Sequence, residues 1–111
     1  MMKENQQVEE ISKFISKEFI LGGADSLIPA GEFQKMDEFK PYLIEKLRDL
    51  LDNHYDKLLN ILYKIDVGED KLSELFSGKN RESIPESLAD LIIERSLQKV
   101  WFRQKYREGK L

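Results

Sequence analysis

The chain has 111 residues, a formal net charge of −3, charged side chains at 35% of positions, no cysteine and a single histidine. A chain of this length fits one core and not two, and interpolation gives roughly 65% of its unfolded surface buried on folding, enough to fold without staples. The lack of cysteine excludes disulfides, thiolate zinc sites, iron–sulfur clusters and a cysteine nucleophile.

The first segment, about Lys3 to Ile20, places Val8, Ile11, Ile15 and Phe19 at steps of three, four and four, one face of an amphipathic helix. Glu9, Glu10, Lys13, Lys17 and Glu18 cover much of the rest. Gly22-Gly23 ends this helix, because glycine tolerates the left-handed conformation of a helix terminus. The stretch "GGADSLIPAGE" holds three of the six glycines and a proline, and reads as a loop pinned to the core by Leu27 and Ile28.

A second helix is expected to begin between Asp37, a good N-cap, and Pro41, which suits a first helical position, and to run to about Asp52. Leu43, Leu47, Leu50 and Leu51 form its apolar face, with Glu45 and Arg48 on the wet side. A third helix, about His54 to Ile65, carries Leu58, Leu59, Ile61, Leu62 and Ile65. That wide apolar face makes it the expected most buried element. Asp66 with Glu69 has the spacing of a capping box for a short fourth helix that buries Leu72, Leu75 and Phe76 and stops at Gly78. Ser83 with Glu86 repeats the spacing, with Pro85 between them, for a last helix from Ile84 to about Arg107. No period-two strand pattern, internal repeat or low-complexity tract occurs. The expected fold is all-α, an irregular bundle of about five helices forming one domain over 1–111, its basic C-terminal helix end, about 95–111, protruding.

His54 stands between Asp52 and Asp56, but side chains two apart on a helix do not meet. Those within helical reach are Leu50, Leu51, Lys57 and Leu58, which make no ligand set. If the helix breaks here, Asn53 becomes an N-cap with Asp56 at the positive helix end. Both readings make His54 structural. "FSGKN" lacks the upstream glycine and following Ser or Thr of a phosphate-binding loop, since Ser73 and Asn80 stand there. "DVGED" lacks the Asp spacing and the twelfth-position Glu of a calcium loop, where Ser77 falls. One histidine, preceded at that spacing by Leu51, cannot supply two Glu-x-x-His pairs for a di-iron bundle. Carboxylate pairs such as Asp49/Asp52 and Glu69/Asp70 are what any acidic helical surface produces. No catalytic, cofactor-binding or metal-binding residue is therefore assigned, and the expectation is a protein without enzymatic activity or cofactor.

Charge is divided unevenly. Residues 1–93 hold 12 Lys/Arg against 19 Asp/Glu, net −7, and residues 94–111 hold 6 against 2, net +4. In the last helix Leu88, Ala89, Leu91, Ile92 and Ile93 make the first half apolar over most of its circumference. Leu97 and Val100 continue one side of it. Arg95, Lys99, Arg103 and Arg107 recur at steps of four along a stripe that turns about 40° per step, and take over the side begun by Leu88 and Ile92. Trp101 and Phe102 flank this ladder. The bland reading is a core helix with solvated last turns, cations suiting its negative end. The sharper reading makes Arg95, Lys99, Trp101, Phe102, Arg103 and Arg107 a partner-binding surface for an acidic protein or a second copy, in the helix-in-groove manner. The leading functional expectation is thus a small assembly module that self-associates through its last helix. A nucleic-acid accessory role for the basic ladder comes second, since the acidic body repels phosphates. A small-ligand binder or enzyme with a site between helices comes third. No run approaches the ~18 apolar residues of a membrane span. The first residues, "MMKENQQVEEISKF", hold no signal-peptide core. The expected location is cytoplasmic, away from membranes.

Overall fold

A computed structural model describes residues 3–23, 33–78, 81–107 and 109. Among these residues there are five α-helices and no strand: α1 Glu4–Leu21, α2 Met36–Asn53, α3 Tyr55–Ile65, α4 Glu69–Phe76 and α5 Ile84–Arg107, the last entered through a 3-10 turn at Arg81–Ser83. The fold is the all-α irregular bundle that the periodicities predict, with 86% of the described chain helical. No helix among the described residues is long and apolar enough to cross a membrane. The expected contacts of Leu27 and Ile28 lie outside the described residues.

One hydrophobic cluster joins α1, α2, α3 and α5. The predicted α1 face is fully buried at Val8, Ile11, Ile15 and Phe19, joined by Phe14. Covering each such side chain contributes about 1.5–3 kcal/mol relative to leaving it in water. At the end of α1 the two glycines do different things. Gly23 takes the left-handed conformation, φ 91°. Gly22 has an ordinary φ of −78° and is needed for space, since a Cβ there would lie 2.5 Å from Cγ1 of Ile61 and 3.0 Å from its backbone nitrogen. α1 and α3 therefore touch almost backbone to side chain at that point.

α2 starts earlier than expected. Lys35 occupies the N-cap position, so Asp37 lies inside the first turn and Pro41 lies within the helix. The pyrrolidine nitrogen of Pro41 has no N–H to give, so the Asp37 carbonyl lacks its helical donor, a cost that a first-position proline avoids. Packing offsets it. Phe39 is fully buried, and Phe33 meets both Phe39 and Tyr42 edge to face at 5.4 Å. The Lys35 carbonyl accepts from the Phe39 amide at 3.1 Å, which closes the turn upstream of the proline. Leu43, Leu47 and Leu50 are buried as predicted, and Leu51 is half-buried.

Expected and observed structure differ most around α3 and α4. α3 does carry Leu58, Ile61, Leu62 and Ile65 into the core, but Leu59 is exposed, together with Tyr55 and Tyr63 four residues before and after it. α5 is the element that packs substantially against every other helix. Asp66 does not cap α4. It closes α3 in the left-handed conformation, φ 66° and ψ 48°. Its amide donates to the Tyr63 carbonyl, and the Val67 amide donates to the Leu62 carbonyl at 3.2 Å, the paired bonds of a Schellman ending. Gly68 takes the N-cap position of α4, and no residue of α4 is buried. Leu72, Leu75 and Phe76 only lean on the core from outside. Eight residues give too short a helix to bury a full face.

Candidate interaction surface

α5 is buried along the line Leu88, Ile92, Ser96 and Val100, with Pro85, Ala89 and Ile93 beside it. Each step of four turns about 40°, so this line spirals slowly and keeps α5 against its neighbours for over three turns. Ser96 hides the line in the sequence because it reads as polar. Its hydroxyl donates to the Ile92 carbonyl at 2.6 Å, which satisfies it inside the core. The side begun by Leu88 and Ile92 is thus continued by Ser96 and Val100 and is not surrendered to the cations. After Val100 no residue from Trp101 to Arg107 is buried.

The basic ladder runs parallel to the buried line, one residue to its side, and so borders the core. Arg95, half-buried, donates to the Asp66 carboxylate at 3.1 Å and to the Gln98 side-chain carbonyl at 3.0 Å. Its Nε is buried with no partner among the described residues. Lys99 is half-buried. Arg103 lies three residues beyond Val100, hence about 60° from it, and its guanidinium sits 5.8 Å from the ring centre of Phe14 on α1. Arg107 is exposed. Two of the four cations are therefore already engaged, one by a carboxylate and one by an aromatic face.

The aromatic pair has the opposite disposition. Trp101 and Phe102 stand about 100° and 160° away from Val100 around the helix. They meet edge to face at 5.1 Å with 78° between ring planes, yet remain 49% and 51% exposed. Lys105 places its ammonium 5.6 Å from the Trp101 ring centre, and Tyr106 is 78% exposed. Neither Lys105 nor Tyr106 stands out in the sequence. The four-residue step from Trp101 to Lys105 is the signal that could have found the first. The cluster is a half-exposed aromatic pair beside the Lys105 ammonium at the negative end of α5.

His54 is the junction between α2 and α3, with φ −144° and ψ 57°. Its amide donates to the Leu50 carbonyl at 2.9 Å and its carbonyl accepts from the Leu58 amide at 3.1 Å. The break falls one residue later than the Asn53 cap would put it, because Asn53 turns its side-chain amide to the Asp49 carboxylate at 2.8 Å instead. The His54 side chain is exposed. Among the described residues no group of three or more His, Cys, Asp or Glu side chains could hold a metal ion.

Elsewhere on the surface, Lys40 and Asp90 join α2 to α5 at 2.6 Å. The Lys40 ammonium donates to the Asp90 carboxylate, and this hydrogen bond holds its pKa above the ordinary value, against a smaller opposing effect of burial. No protein-family model, curated protein or solved structure matches the chain.

Proposed function

We propose that this protein is a small, non-enzymatic assembly module that associates with a second copy of itself through the end of α5. The observation that carries the reading is the half-exposed Trp101–Phe102 pair, standing off the core and flanked by cations. Aromatic rings of this size bury 150–250 Å² each. Covering the exposed halves of both removes on the order of 150–250 Å² from water, or about 4–6 kcal/mol at 25 cal/mol per Å². Association costs about 4–15 kcal/mol in lost freedom. The pair alone is therefore an anchor and not a whole interface, and neighbours such as Leu97, Lys105 and Tyr106 must contribute. A reversible complex with micromolar or weaker affinity is the expected result.

The test is mass against concentration. Light scattering on the unmodified protein is expected to rise above 13.1 kDa as concentration increases, and Trp101→Ala with Phe102→Ala is expected to return it to the monomer. A constant 13.1 kDa over a wide range overturns the reading. If the unmodified protein instead binds duplex DNA tightly, and Lys99→Glu with Arg103→Glu abolishes that binding without changing the mass, a nucleic-acid role takes precedence.

A further inference from the structure

α4 covers one stripe of α5. Leu75, near its end, stands across a cleft from Ser87 and Leu91. Gly68 and Lys71, at its start, stand across another from Glu94 and Gln98. The two helices therefore run antiparallel. Ser87, Leu91, Glu94 and Gln98 follow at steps of four, three and four, one face of the helix. Further steps of three, four and seven from Gln98 reach Trp101, Phe102 and Lys105. The exposed aromatics thus stand on the stripe that α4 covers, just beyond the point where α4 begins. α4 has 8 residues, or about 12 Å, against the 24 residues and about 36 Å of α5.

We infer that the stripe beyond α4 is covered by the α5 end of a second copy, antiparallel about a two-fold axis between Trp101 and Phe102, with its basic last turn seated against the acidic first turn of α4. This rests on the reading of α5 as a self-association element. Residues equidistant from such an axis face each other, so residues 104–107 of one copy come level with residues 96–99 of the other. That is where α4 starts, since Asp66 is bound to Arg95 at 3.1 Å and Lys71 to Glu94 at 3.8 Å. The partner's α5 points the same way as α4, because both run antiparallel to the helix they cover. Its C-terminus meets the N-terminus of α4 end to end.

Charge selects this occupant. The last turn of α5 carries Lys105 and Arg107. The first turn of α4 carries Glu69 and Asp70, both exposed and neither in an ion pair among the described residues. Lys71 is matched by Glu94, and Arg95 by Asp66, so two carboxylates are left over. Each helix end adds about half a charge of the opposite sign. That is too little to cancel either pair, and the two dipoles meet head to tail. The two-fold axis makes the same contact twice. It also separates like charges: the two copies of Lys105 stand about 10 Å apart along the helices and those of Arg107 about 16 Å, beyond the ~8 Å screening length. At the axis the four half-exposed rings bury about 300–500 Å². A standard stable interface buries about 1,200–2,000 Å², so the dimer is weak and the charge contacts matter to it.

The experiment is a charge swap read by light scattering. Glu69→Lys with Asp70→Lys makes the start of α4 basic, and Lys105→Glu with Arg107→Glu makes the end of α5 acidic. Far-UV circular dichroism confirms that each variant keeps its helix. If the basic α4 variant unfolds, the neutral Glu69→Gln with Asp70→Asn takes its place and is expected to weaken association by a smaller factor. The unmodified protein is expected to reach twice the 13.1 kDa chain mass and nothing larger. Each reversed variant alone is expected to associate about tenfold or more weakly. Mixed in equal amounts, the two reversed variants are expected to regain the unmodified affinity, because at both contacts an α4 start then faces an α5 end of opposite sign. If the α4 variant associates as well as the unmodified protein, or the mixture is no stronger than its parts, α4 is not the receiver. The inference is then overturned, and the reading of α5 still stands. Mass that climbs past the dimer overturns the two-fold contact in the same way. If the unmodified protein never associates, both fall together.

Discussion

From Pro85 to Val100, α5 sends a side chain into the core at every turn, and from Trp101 to Arg107 it sends none. Large apolar residues occur on both sides of that boundary. What changes is whether neighbouring helices are present to cover them. In the first part the residues that look polar, Ser96 and Arg95, are absorbed by a backbone carbonyl and by Asp66. In the last two turns residues that look like core, Trp101 and Phe102, are left half in water. Hydrophobic type alone does not decide burial; the presence of neighbouring helices does.

The largest test of this contrast is truncation on either side of it. Leu88→Ala or Ile92→Ala is expected to cost about 2–5 kcal/mol of folding stability by leaving a cavity in the core. Trp101→Ala is expected to change the stability of an isolated copy by about 0.5–1 kcal/mol at most, as surface substitutions do. Urea unfolding at low protein concentration reads both. Equal losses would mean that the two parts of α5 are not distinct.

A smaller effect comes from the other tight junction, between α1 and α3. Gly22→Ala forces a Cβ against Ile61 and is expected to cost about 1–3 kcal/mol as overpacking does. Its urea midpoint should fall with an unchanged slope. Gly23→Ala meets no atom within 4 Å, so any loss there reports its left-handed backbone alone. If Gly22→Ala is neutral, the helices are not held as closely as described.

The α1 face and the Leu43, Leu47, Leu50 row were legible because every member is apolar and the helical period is unbroken. The burial of Ser96 was not, because a serine bonded to its own helix backbone is invisible to a pattern of apolar residues. That one gap made the ladder look like the successor to the Leu88 and Ile92 side, when it borders the buried line instead. The start of α2 was misplaced because Phe39 packing, a tertiary effect, outweighs a local proline preference. Asp66 satisfied a capping spacing, but its actual partner, Arg95, lies 29 residues away. The aromatic anchors were legible as residues and became a surface only when the side opposite Val100 proved uncovered.

Asp66 gives the next prediction. Asp66→Ala is expected to cost about 1–2 kcal/mol, since alanine pays for the left-handed turn and the Arg95 contact is lost. Asp66→Gly keeps the turn at no steric cost and should lose less. Thermal melts of both variants decide this. Equal losses would show that the ion pair, not the backbone, is what matters there.

The smallest expected effect is alkaline. The Lys40 pKa is raised in the folded protein above its ordinary value of 10.5. The stability from its contact with Asp90 is therefore fully present below that value and is lost as pH climbs through the folded one. The pair is partly exposed, so screening limits it to under about 1 kcal/mol. Melting temperatures from about pH 9 to 12 should fall slightly less steeply in Lys40→Met than in the unmodified protein. Identical slopes would remove the Lys40–Asp90 contact from the account.

Because Trp101 is the only tryptophan in the chain, tryptophan emission reports on the end of α5. Emission is measured during dilution, beside light scattering on the same samples. Blue-shifted, quencher-protected emission at high concentration is expected to move to the red as mass falls to 13.1 kDa, both following one curve. Emission that stays unchanged while the mass falls would place the interface away from the end of α5, and contradict the proposed function.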